Sequence, residues 1–152
     1  MEPTASLLTV TLSLVLSFAI AHALFGFAWY SEGAFGPAWR KLSGRSGVAH
    51  DSKKKMILAH VGSSVLAAIY GAGLVFAGFF IAAFVMPQSL GTTGSLYAAV
   101  LALWITLSLV PAIGDNLYRK DSWKLFAIDK GFSLVFALAC AALAVVVPTF
   151  FQ

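Results

Sequence analysis

Polar residues along this chain are confined to short islands between long apolar runs. The first run, LLTVTLSLVLSFAIAHALFGFAW at residues 7–29, contains no charged side chain. The second, residues 56–86, has only His60 and Tyr70 as ionisable groups. The third, LYAAVLALWITLSLVPAI, covers residues 96–113, and the fourth covers 128–147 with Asp129 and Lys130 at its start. A helix that crosses hydrocarbon needs about 20 apolar residues, within a range of roughly 17–25. Three runs meet that easily and the third meets it narrowly. None sustains the polar–apolar alternation of a membrane β-strand. The pattern predicts an all-α integral membrane fold of a single domain, residues 1–152, with helices over 6–29, 53–86, 95–113 and 122–147. The second run would extend about 45 Å as a helix, so it should tilt or project beyond the lipid.

The breaks have local causes. Pro87, Gly91 and Gly94 punctuate an uncharged second connection. Asp121 or Ser122 can cap the fourth helix, and Pro111 should loosen or end the last turn of the third. The first run is expected to be a retained helix. It is long for a signal peptide, and MEPTAS supplies no positive n-region.

Composition agrees with the pattern. The chain of 152 residues is 60% hydrophobic and 11% charged, with a mean hydropathy of +0.89. A soluble domain carries about 25% charged residues. The single cysteine, Cys140, forms no intramolecular disulfide and reads as a small packing residue. Charge position tells more than net charge. All 10 Lys and Arg lie in or beside the first and third connections: Arg40, Lys41, Arg45, Lys53, Lys54, Lys55, Arg119, Lys120, Lys124 and Lys130. The positive-inside rule then puts both connections in the cytoplasm, or in the matrix of a mitochondrion, and both termini on the opposite side. The net charge of +4 is therefore read as a match to anionic lipid headgroups, not to nucleic acid.

The first connection opens with FAWYSEGAFGPAWRKLSG, residues 27–44. Trp29, Tyr30, Phe35 and Trp39 are the side chains that favour a membrane–water boundary. Gly33 and Gly36 permit a sharp change of direction, and Pro37 can open a short interfacial helix. In that helix Trp39 and Leu42 would face lipid while Arg40, Lys41 and Arg45 reach phosphates. The segment is expected to be an interfacial aromatic and basic anchor.

WYSEGAFGPAWRKLSG, together with GDNLYRKDSWKLFAIDKGFSLV before and within the last helix, resembles a family of small four-helix membrane proteins, domain of unknown function 1761. The resemblance covers nearly the whole chain and implies a fold but no activity. Glu32 stands where such sequences often have proline.

A second polar group, Asp115, Asn116, Arg119, Asp129 and Lys130, is expected to form with Glu32 an interhelical network. Asp129 and Lys130 are consecutive and point about 100° apart on a helix, so each needs another partner. Arg40 is the expected partner of Asp129. His22 and His60 are expected about 10 Å and 8 Å from the same surface. Interhelical hydrogen bonding explains them, and ligation of a haem or a metal, or a proton relay, is the alternative for this pair. Ser64, Ala68 and Ala72 recur at spacing four, as do Ser133, Ala137 and Ala141. These faces allow close helix packing. Phosphate loops, zinc-protease motifs and nucleophile elbows are absent from the sequence. The expected function is a non-enzymatic structural or accessory subunit that binds membrane lipids, other membrane subunits or itself, with no cofactor, metal or nucleic acid. The alternatives are an oligomeric transporter using His22, His60 and Asp129, and a haem- or lipid-handling enzyme.

Overall fold

The computed structural model describes residues 3–44, 53–85, 90–119 and 122–151, which are helical almost throughout, with no strand among them. The chain runs through α1 (Pro3–Trp29), a short α2 (Gly36–Leu42), α3 (Lys53–Phe84), α4 (Gly91–Trp104), a π-helical turn (Ile105–Leu109), α5 (Val110–Arg119) and α6 (Trp123–Val146). A 3-10 turn, Val147–Phe151, follows. Among the described residues, 4 stretches are long and apolar enough to cross a membrane: Leu8–Trp29, Val61–Phe84, Gly91–Tyr118 and Trp123–Thr149. The fold is that of an all-α membrane protein.

The third span departs from the sequence expectation. It begins at Gly91, whose φ of 67° is left-handed, and continues to Arg119 as α4, the π turn and α5. Pro111 does not end it. The amide of Val110 bonds to the carbonyl of Ile105, one residue beyond α-helical reach. A proline lacks the ladder donor, and its ring crowds the carbonyl four residues back. The widened turn immediately before Pro111 opens that ladder, so the rod carries the proline and goes on.

Helix α3 packs against α1 and α4, while α6 closes against α1 and α4 and also touches α3. Helices α1 and α3 run antiparallel, with His22 beside Ser64 and Phe18 beside Gly71. One apolar cluster joins Phe18 of α1, Ala68 and Val75 of α3, and Phe136, Cys140 and Ala144 of α6. The other joins Leu74 of α3, Leu96, Val100 and Trp104 of α4, and Ala137 and Ala141 of α6. The small residues singled out by their spacing are therefore inside the bundle, though the stripes of α3 and α6 mainly receive larger side chains from α1 and α4. A Cβ on Gly71 would stand 2.7 Å from the Cys140 sulfur. That close approach explains both the glycine and the inert cysteine.

The outside is as apolar as the inside, as lipid requires. On α1, Leu8, Leu12, Leu16, Ile20 and Leu24 form a ridge at spacing four and are all more than half exposed. The most apolar window of α1 is only 6% buried, against 39% for that of α6. Helix α6 is the central post, and α1 is peripheral.

Candidate functional site

The described Lys and Arg positions fall on α2, the start of α3, the end of α5 and the start of α6. Contacts of α2 and of the C-terminal end of α1 with α6 bring these segments to one end of the bundle. Arg45 and Lys120 lie outside the described residues.

At this end the chain leaves α1 through a tight reversal. The amides of Phe35 and Gly36 bond back to the carbonyls of Trp29 and Ser31. Gly36 is buried, and a Cβ there would collide with the carbonyl oxygens of Tyr30 and Ser31. Space, not a left-handed φ, is what requires glycine. Pro37 then occupies the first turn of α2, where its missing N–H costs nothing.

The reversal turns the aromatic side chains inward onto α6. The Trp29 indole N–H donates to the Ile128 carbonyl at 3.1 Å. Tyr30 Oη and Trp39 Nε1 both donate to Asp129 Oδ1, at 3.0 and 2.9 Å. Tyr30 and Trp39 meet edge to face at 5.5 Å, and Tyr30 also packs on Phe132 at 5.5 Å. Phe35 covers Trp29 at 4.7 Å from outside. One carboxylate thus fastens the first connection, through two side chains, to the post of the bundle. Hydrogen bonds to an ionised acceptor are about twice as strong as neutral ones. Burial, reinforced by Asp129, raises the Tyr30 phenol well above its ordinary value of 10.0, so it stays a donor.

This arrangement corrects the expected pairing of Asp129 with Arg40. The Arg40 guanidinium instead bonds Glu32 at 2.6 Å, within the same connection. Glu32 therefore does not join α5 and α6 in a network. Its side chain is 78% exposed, so this surface pair contributes at most about 1 kcal/mol. Trp39 also differs from the lipid-facing ring expected of an anchor, because its N–H points to Asp129. Lys41 remains exposed.

Asp115, Asn116, Asp129 and Lys130 are brought together around a cavity of about 140 Å³ between α5 and α6. The Arg119 side chain lies outside the described residues.

A family model described as a protein of unknown function, DUF1761, matches residues 12–147. The chain belongs to this family. No curated protein and no solved structure matches it. The matched segment includes the aromatic reversal, α2, Asp129 and the α5–α6 cavity.

Deeper in this DUF1761 protein, His22 Nδ1 lies 3.2 Å from Ser64 Oγ. The imidazole also meets Phe132 and Phe136 edge-on, at 5.2 and 5.1 Å. The His60 side chain lies outside the described residues, so the expected histidine pair is not visible as such. Among the described residues, no group of three potential metal-ligating side chains gathers. A second interhelical bond runs from Trp104 Nε1 to Ser133 Oγ at 2.9 Å. Sequence spacing presented Ser64 and Ser133 as small packing residues, yet each also meets a polar ring atom. The available signal was a serine at the depth of a histidine or tryptophan on a neighbouring helix.

Proposed function

We propose that this chain is a non-catalytic membrane subunit, a helical bundle that works by packing with partner helices and lipids. The observation that carries this reading is the contrast between its inside and its outside. Phe18, Val75, Phe136 and Cys140 close one half of the interior, while Leu96, Val100 and Trp104 close the other. The polar contacts at mid-depth, His22 with Ser64 and Trp104 with Ser133, join neighbouring helices. The outward ridge of α1 keeps a continuous apolar face, and rows at spacing four are what neighbouring helices interlock with. Clamping of the first connection onto Asp129 fits a part that must hold its shape while others pack against it.

In this reading the cation end lies in the cytoplasm or matrix, attracted by anionic headgroups, and both termini lie across the membrane. Purification from native membranes under mild detergent, followed by mass measurement of the intact particle, tests the proposal. A stable complex with another membrane subunit or with further copies is expected. Recovery of monomer alone, together with ion or solute flux in liposomes that His22→Ala abolishes, would replace the packing reading with transport.

A further inference from the structure

The cavity between α5 and α6 has a wall whose polar groups do not satisfy one another. Asn116 is only 7% exposed, and its Nδ2 is buried without a hydrogen-bond partner. Buried polar atoms are ordinarily paired with protein, water or a ligand, so this donor, on a residue that lines the cavity, calls for an acceptor. Asp129 commits Oδ1 to Tyr30 and Trp39 and also lines the cavity. Asp115 and Lys130 complete the polar wall, and Leu125 and Phe126 supply an apolar side. The Glu32–Arg40 contact is the one ion pair among the described residues. Among the described residues, Asp115, Asp129 and Lys130 thus line the cavity with no charged partner within ion-pair distance.

This combination selects a ligand by elimination. An anion alone would meet two carboxylates, and a metal ion would meet the Lys130 ammonium. A molecule carrying both an ammonium and an anionic oxygen satisfies every group. Its ammonium would lie between Asp115 and Asp129, and its oxygens would accept from Asn116 Nδ2 and Lys130. A primary ammonium has donors for two carboxylates, whereas a quaternary one has none. A quaternary ammonium is instead held by an aromatic cage, and Phe126 is the one aromatic side chain on this wall. The volume of about 140 Å³ suits a group the size of benzene, which fills a cavity of roughly 150 Å³. An ethanolammonium arm fits within that space with its phosphate at the mouth. The depth fits too, because the flanking spans end at Tyr118 and begin at Trp123.

We propose that the α5–α6 cavity binds the ethanolamine phosphate headgroup of a membrane lipid. The inference stands on the cavity wall and holds whether the bundle scaffolds a complex or works alone. The full-length protein, purified in micelles containing equal amounts of ethanolamine and choline phospholipids with matched acyl chains, is examined by native mass spectrometry. The ethanolamine lipid should be retained in preference. Asn116→Leu should reduce retention of the ethanolamine lipid at least about fivefold, as loss of one buried polar contact does. Asp115 is exposed, so Asp115→Asn leaves folding intact and should reduce the preference as well. Free phosphoethanolamine is added in a parallel arm. Displacement of the lipid only at large excess supports a lipid site, while equal competition assigns the same headgroup chemistry to a soluble molecule. Equal retention of the two lipids by the parent protein, or unchanged retention in folded Asn116→Leu together with an unchanged preference in folded Asp115→Asn, would overturn the proposal.

Discussion

At the scale of single residues, Asp129 carries the most structure per atom. Its Oδ1 holds both Tyr30 and Trp39, and the two substitutions that test this differ in kind. Asp129→Asn keeps an acceptor oxygen but removes its charge, so about 1 kcal/mol of bundle stability should be lost. Asp129→Leu strands two half-buried donors, and its loss should exceed that of the amide variant. Unfolding midpoints in detergent check the order. Tyr30 adds a pH signature. Its folded-state phenol ionises well above the ordinary 10.0. The stability it contributes is fully present below pH 10 and disappears as pH climbs through the folded value. At pH 10 the tyrosinate absorbance of the folded protein should therefore match that of Tyr30→Phe. In Asp129→Asn the Tyr30 ionisation should move down but stay above ordinary, because burial is the larger cause. An ordinary Tyr30 titration in the parent protein would sink the clamp. Asp129 itself was recognisable in the sequence as a carboxylate at a helix entrance, but its partners were not. Opposite charge made Arg40 the obvious match, while the inward turn of two aromatic rings depends on the room that Gly36 leaves against the Tyr30 and Ser31 carbonyls.

At the scale of elements, the four spans were legible because run length is the whole requirement for crossing lipid. Their interior faces were partly legible, since Ala68, Ala137 and Ala141 are buried as their spacing suggested. The third span was not read to its true ends. Pro111 reads in a sequence as a loosened or final turn, and only the backbone shows that the π turn over Ile105–Leu109 carries the helix past it. A π turn is equivalent to one residue inserted into an α-helix. Deleting Leu107, which is 60% exposed, should remove that insertion and keep the faces of α4 and α5 in place. Deleting Val65, exposed at 51% on uninterrupted α3, should rotate one half of the helix by about 100° against the other. The first deletion is expected to leave a folded, monodisperse protein and the second to aggregate, as size-exclusion chromatography would show. Equal damage from both would mean that the π turn is not a removable insertion.

At the scale of the whole molecule, the sequence and the fold agree on one asymmetry and divide the explanation between them. Charge counting finds all 10 cations beside two connections; packing then shows why those connections share one end, since α2 and the end of α1 are fixed to the start of α6. The sequence could supply only the first half, because fastening depends on side-chain direction. Together they make membrane orientation a sharp prediction. Cys140, the sole cysteine, has 0% exposure, so it should stay silent towards a membrane-impermeant thiol reagent and leave a clean background. Ala38 on α2 and Thr92 at the start of α4 are both exposed at opposite ends of the bundle. In right-side-out vesicles, Thr92→Cys should label at once and Ala38→Cys only after the membrane is opened. The reverse pattern would invert the bundle, and labelling of both in sealed vesicles would mean a mixed population. Either outcome would separate the cation end from the headgroup field that is expected to orient it. The expected pattern follows from a cost that grows with each Lys or Arg carried across, and ten such residues in or beside two connections should leave the opposite orientation unpopulated.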